Sequence, residues 1–121
     1  KNGDRPIYII DRQPFDWSLT TWLGVFDLVY AMILDWDVDI RRRFEMPILQ
    51  RYYDQLLQNG VTGYSWDQLM IDYRLCVAMG IYVAAESFSA DVKERWISTT
   101  LLMLRRSLIA CDDLKCSELW S

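Results

Sequence analysis

The chain contains 121 residues, of which 52% are hydrophobic and 25% are charged, and its formal net charge is −4. This composition excludes an intrinsically disordered chain, and the length predicts a single domain over residues 1–121. The acidic balance argues against a nucleic-acid partner. Because the chain has no histidine, it cannot supply a Ser-His-Asp or Cys-His catalytic group or a histidine ligand for zinc.

The cysteines and the apolar runs set two further bounds. Cys76, Cys111 and Cys116 are odd in number and lack CxxC spacing, so we expect no disulfide framework, no zinc site and a reducing, cytoplasmic location. The longest apolar run covers residues 75–85, which is far short of the roughly 20 residues needed to span a bilayer. We therefore predict a buried helix there and no membrane partner.

The N-terminal part of the chain favours extended structure. Residues 7–10 (IYII) are β-branched or aromatic, which predicts a strand or hairpin. That strand stops at Asp11, which either presents a carboxylate at the edge of a site or simply ends the strand. A loop with turn-forming residues follows over residues 14–21.

Helical periodicity begins near Trp22. Apolar residues recur at three- and four-residue spacing over residues 22–36, which predicts one largely buried helix. A second apolar stripe over residues 44–57 predicts the next helix, which Pro47 should kink or split and Asn59-Gly60 should end.

Charged residues cluster where these two helices meet. Asp35, Asp37 and Asp39 close the first helix and open the second. The triplet at residues 41–43 (RRR) is interpreted as a solvated face, with a phosphate-binding patch as the alternative.

The remaining sequence predicts two long helices and a short tail. Ser65 followed by Gln68 is a capping box that starts a helix containing Cys76 as a core filler. Small residues in this helix should let another helix approach closely; these are Ala78, Gly80, Ala84 and Ala85. A break over residues 87–90 precedes a helix over 91–111 and a tail helix over 114–120. The predicted fold is mainly α, an N-terminal strand or hairpin followed by four to five packed helices.

Two short motifs stand in order in the first thirty residues. The run IIDRQ at residues 9–13 ends the predicted strand, and Gly24 with Asp27-Leu28-Val29 opens the first helix. Their order and spacing resemble the aminoglycoside phosphotransferase and choline kinase-like family, small-molecule relatives of the protein kinases. The later runs RYYDQLL (51–57) and CDDL (111–114) are similar to the helical end of such kinases. The resemblance spans the chain, and the predicted helices resemble the C-terminal subdomain of a protein-kinase-like fold.

The resemblance implies roles for two carboxylates. The family aspartate at the position of Asp11 holds the magnesium of Mg-ATP, and the one at the position of Asp27 supports the catalytic-loop backbone. Mg²⁺ and ATP are therefore the implied cofactors of the complete protein, with tight binding to this chain alone not expected. Arg12 departs from the family, which has an aromatic residue there.

The resemblance also implies what this chain lacks. The family needs a nucleotide-binding lobe with a strand lysine and a His-Gly-Asp loop followed by an asparagine, and neither is in the sequence. The chain then corresponds to the C-terminal part of the larger lobe, with no catalytic residue of its own and no activity alone. Its first partner is the missing N-terminal part of the same polypeptide, which the start at Lys1 also favours.

The implied acceptor is a small hydroxylated or cationic molecule. Four residues are candidates for the acceptor pocket without an assigned role: Asp16, Trp17, Asp35 and Trp36. Two other interpretations remain open. The chain could be a free-standing helical interaction module, a degenerate kinase remnant that forms a homodimer, or it could be an unrelated helical bundle.

Overall fold

The computed structural model describes residues 23–86 and 94–120. In chain order the elements are α1 (Phe26–Val29), a π-helical segment (Tyr30–Asp35), α2 (Val38–Gln58), α3 (Trp66–Glu86), α4 (Glu94–Asp113) and a 3₁₀-helix (Cys116–Trp120). The described part of the chain is mainly α, as predicted. The strand predicted at residues 7–10 and the break predicted at 87–90 lie outside the described residues.

Helix α3 is the central element of the described structure. It packs along α4 and also contacts α1, the π-helical segment and the 3₁₀-helix. Its apolar residues therefore face neighbours on several sides, and the fully buried ones are Leu69, Tyr73, Cys76, Val77 and Ala84. The prediction that Cys76 fills the core is confirmed. Among the described residues α3 is also the one helix whose length and composition would allow it to cross a membrane, a test that buried core helices pass as well.

Close packing of α3 against α4 occurs at Gly80. A Cβ at this position would lie 3.2 Å from Ser107 Oγ of α4 and 3.6 Å from Leu34 Cδ2 of the π-helical segment. The small residues of α3 therefore admit a neighbour at Gly80, as predicted. Ala85 does not contribute, because its side chain is exposed.

Helix α2 runs unbroken through Pro47, so of the two predicted outcomes, a kink or a split, the split does not occur. A proline inside a helix removes one backbone hydrogen bond and costs about 3 kcal/mol. Buried side chains on both sides of it hold the helix in place: Arg41 and Glu45 before Pro47, and Leu49 after it. Tertiary contacts made by both halves therefore outweigh the local cost.

The ends of α2 and α3 follow their sequence signals. After α2, Asn59 is the C-cap and Gly60 adopts a φ of 86°, a conformation that glycine reaches without strain. Before α3, Ser65 Oγ accepts a hydrogen bond of 3.1 Å from the Gln68 backbone N–H. The reciprocal half of the capping box is absent, because Gln68 Nε2 instead donates to Asp72 Oδ1 at 2.9 Å.

The helix before α2 has a wider helical turn over Tyr30–Asp35 than the periodicity of the sequence predicts. One helix was expected over residues 22–36, whereas α1 changes at Tyr30 into a π-helical segment. Three consecutive residues of this segment, Met32, Ile33 and Leu34, are buried.

Candidate functional site

The sequence-predicted site residues divide into two groups. Asp11, Asp16 and Trp17 lie outside the described residues. Asp35 is exposed at the end of the π-helical segment, whereas Trp36 is half-buried and packs against the core.

Asp27 and Gly24, both from the second motif, lie next to Tyr52 of α2. A Cβ at residue 24 would lie 2.6 Å from Tyr52 Oη, so Tyr52 in this position leaves room only for glycine. The Asp27 side chain is exposed in the first turn of α1. Burial, and secondly the negative charge of Asp27, raise the pKa of the Tyr52 hydroxyl above its usual value. The two residues thus share one face of the molecule with Tyr52.

The most elaborate polar arrangement in the described part of the chain joins α2, α3 and the end of α4. We call it the arginine–carboxylate cluster; its members are Arg41, Arg42, Glu45, Tyr73 and Asp113. Arg41 Nη1 donates to both carboxylate oxygens of Glu45, at 3.0 and 2.8 Å, and Arg41 Nη2 donates to Asp113. Tyr73 Oη donates to Glu45 Oε1 at 2.8 Å. Arg42 completes the set with two bonds to Asp113, of 2.8 and 2.9 Å.

Burial separates the two arginines. Arg41 is 2% exposed and Glu45 5% exposed, whereas the Arg42 side chain is 52% exposed. The prediction that residues 41–43 form a solvated face is therefore wrong for Arg41, although Arg42 and Arg43 are exposed. The reason is that α4 ends opposite Arg41 and brings Asp113 to it, while Glu45 lies one helical turn away on the same face.

The charges of the cluster are balanced, and its buried side chains are paired with one another. Two guanidinium groups face two carboxylates, which satisfies the requirement that buried charges be paired. Burial, and then the carboxylate of Glu45, raise the pKa of Tyr73 far above its usual range, so this hydroxyl remains a donor. The arrangement holds three helices in register, and its buried members offer no free acid or base.

Acid should weaken this cluster through Asp113. The hydrogen bond from Arg42 lowers the pKa of Asp113 below its usual value; burial opposes this shift, and the hydrogen bond from Arg41 adds to it. The folded pKa is then below that of the unfolded chain, about 3.9. The resulting stabilisation is complete above that value and is lost as the pH falls through the folded pKa.

We therefore expect the urea midpoint of the protein to fall between pH 5 and pH 3, and to fall less in Asp113→Asn. The neighbouring Asp112 is exposed, and Asp112→Asn is the matched control that should keep the wild-type pH dependence. Equal pH profiles for Asp113→Asn and the wild type would contradict the assignment.

A second polar group fixes the loop between α2 and α3. Tyr64 Oη donates to Asp72 Oδ2 at 2.7 Å, and Tyr53 Oη donates to the Tyr64 carbonyl at 3.0 Å. The Tyr53 ring also meets the Trp66 ring edge-on, with the centroids 5.7 Å apart. Burial and the hydrogen bond to Asp72 raise the pKa of Tyr64 well above its usual range. This group positions the loop and was not predicted from the sequence.

Neither group forms a metal site. Among the residues that the structure describes, no three His, Cys, Asp or Glu side chains converge in a way that could hold a metal ion. Asp11, the predicted magnesium ligand, lies outside the described residues.

Comparison with known proteins does not assign this chain to a family. No family model, no curated protein and no solved structure matches this chain.

Proposed function

We propose that this chain is the helical C-terminal part of an ATP-dependent small-molecule phosphotransferase of the aminoglycoside phosphotransferase and choline kinase-like group. The observation that carries the proposal is the order of two motifs, IIDRQ at residues 9–13 and then Gly24 with Asp27-Leu28-Val29. The complete protein acts in the cytoplasm on a small hydroxylated or cationic acceptor, and this chain alone is inactive.

Asp11 has the chemistry that the first motif requires. Phosphoryl transfer depends on positioning and on neutralising charge on the phosphates, and a magnesium ion bound to ATP supplies that neutralisation. Magnesium sites in such enzymes use one or two carboxylates together with phosphate oxygens. In the complete protein Asp11 is one such carboxylate, and the second metal ligand comes from the N-terminal part.

The surroundings of the second motif support the role of Asp27. An exposed carboxylate at the start of α1 can accept hydrogen bonds from backbone N–H groups of another segment. Its neighbour Gly24 lies close to Tyr52 of α2, and α1 itself packs against α3 and the π-helical segment. These contacts support α1, the helix that carries Asp27.

The test is the Asp11→Asn variant of the complete gene product. Since the metal contributes several kcal/mol to transition-state stabilisation, we expect the variant to lose at least about 100-fold in turnover of Mg-ATP. ADP formation would be measured with a panel of hydroxylated and cationic acceptors. Asp4→Asn is the matched control, a change of the same kind outside both motifs that should leave turnover unchanged. Unchanged turnover in Asp11→Asn would overturn the assignment.

One observation favours the alternative of a helical interaction module. Helix α4 exposes Ile97, Leu101 and Leu108, whose spacing puts them on one face, and α3 exposes Leu75, Met79 and Tyr82 at similar spacing. Exposed apolar faces of this kind mark interaction surfaces. Sedimentation of the protein separates the two interpretations, because a monodisperse monomer of the complete gene product would count against a dimerisation module.

A further inference from the structure

Helix α4 ends in a turn that brings two cysteines together. Lys115 has a φ of 52°, and its N–H bonds to the Asp112 carbonyl at 3.1 Å. These are features of the Schellman motif, in which the residue after the left-handed position contacts the residue five places before it. At the end of α4, Cys116 and Cys111 occupy these two positions.

The two side chains differ in access. Both cysteines carry free thiols; Cys116 is fully buried in the core, and Cys111 is partly exposed and packs against the same core. The turn puts Cys111 and Cys116 at the two positions whose side chains contact each other in this motif. A disulfide requires Cα atoms about 4.4–6.8 Å apart, and a turn that brings these side chains into contact meets that requirement locally.

A positive charge adjoins the buried thiol. Arg74 Nη2 donates to the Lys115 carbonyl and lies 3.2 Å from a Glu118 carboxylate oxygen. Arg74 Nε is buried and has no hydrogen-bond partner. Interaction with Cys111 lowers the pKa of the Cys116 thiol, burial opposes this shift, and the charge of Arg74 adds to it, whereas interaction with Cys116 and burial raise the pKa of Cys111.

We propose that Cys111 and Cys116 form a reversible disulfide when the protein meets a hydroperoxide. This modification site is independent of the phosphotransferase proposal, because it depends only on the turn after α4 and on Arg74. In a reducing compartment such a bond is a transient, regulatory one rather than part of a permanent framework.

The chemistry balances with hydrogen peroxide as the two-electron oxidant. Cys111, the accessible thiol, loses its proton to the solvent, and its sulfur attacks one peroxide oxygen. The O–O bond breaks, a sulfenic acid forms on Cys111, and hydroxide leaves. Cys116 gives its proton to that hydroxide and attacks the Cys111 sulfur, so the S–S bond forms while the S–O bond breaks. Once the departing oxygen takes up a proton from the solvent, two thiols and one peroxide have become one disulfide and two water molecules.

Tryptic mapping of the complete protein tests the proposal, because Lys115 lies between the two cysteines. After treatment with hydrogen peroxide and blocking of remaining thiols, cleavage after Lys115 separates the peptide over residues 107–115 from the peptide that begins at Cys116. We expect these peptides to remain linked, with a mass equal to their sum less two hydrogen atoms. A dithiol reductant should release them.

The controls use the other cysteine positions. Cys76→Ser removes the thiol buried in the core of α3 and should leave the linked peptide at its wild-type yield. Cys116→Ser should abolish the linked peptide and leave Cys111 with added oxygen. If the wild-type peptides separate without reductant, whether unmodified or carrying added oxygen, the proposal is overturned. Because that outcome is read from the wild type, it does not depend on the folding of any variant.

Discussion

Replacing Arg41 with alanine is expected to lower the free energy of unfolding by about 3–5 kcal/mol. The Arg41 guanidinium is 2% exposed and pairs with Glu45, which is itself nearly buried. Without Arg41, Glu45 keeps only the hydrogen bond from Tyr73 and becomes a buried charge with no cation. The large cost comes from that orphaned carboxylate and from the void left by the arginine.

Arg42 provides a matched control one residue away. It pairs with the same Asp113, but its side chain is half exposed. Exposed ion pairs contribute little to stability, so Arg42→Ala should cost far less than Arg41→Ala. Urea denaturation followed by far-UV circular dichroism measures both variants. Equal losses of stability for Arg41→Ala and Arg42→Ala would contradict the buried pairing of Arg41 with Glu45.

The second large effect is expected at Gly80, where leucine should destabilise the protein by about 3 kcal/mol. Even the first atom of a side chain there would lie 3.2 Å from Ser107 Oγ. Three further carbons would have to enter the space between α3, α4 and the π-helical segment. Helices α3 and α4 would move apart, or Leu34 and Ser107 would leave their present positions.

Two comparison variants show that the effect is one of packing. Gly80→Ala adds only a Cβ, and its tight contact is offset by about 1 kcal/mol of helix propensity, so we expect stability close to wild type. Ala85→Leu adds the same bulk at an exposed position of α3 and should change stability by less than about 0.5 kcal/mol. Thermal unfolding of the three variants measures this order. Wild-type stability in Gly80→Leu would contradict the close approach of α4.

The fold was largely predictable from local signals in the sequence. The ends of α2 and α3 follow from Asn59-Gly60 and Ser65, because capping depends on residues within one turn. The burial of Cys76 follows from its place in an apolar helical run. Such features need no knowledge of the neighbouring helices.

The features that were not predicted depend on contacts distant in sequence. The sequence around Pro47 left open whether α2 is kinked or split, because the compensation comes from side chains packed on either side of the proline. Arg41 and Glu45 show the spacing of a surface ion pair, and only the arrival of Asp113 from α4 makes the pair internal. The π-helical segment was likewise not predicted from the periodicity of the sequence.

The candidate functional residues also differ in whether the sequence alone could reveal them. The roles of Asp11 and Asp27 rest on short motifs, which a sequence shows directly. The arginine–carboxylate cluster and the paired thiols of Cys111 and Cys116 became visible only in three dimensions. A capping turn after α4 could have suggested the cysteine contact, since the spacing of five residues matches the Schellman motif.

The most direct measurement of the central claim is ATP binding by the complete gene product, measured calorimetrically with and without Mg²⁺. No knowledge of the acceptor is needed. The phosphotransferase assignment predicts Mg²⁺-dependent binding that weakens at least about tenfold in Asp11→Asn and is unchanged in Asp4→Asn. No binding of ATP, or binding indifferent to both Mg²⁺ and Asp11, would contradict the assignment and favour a helical interaction module.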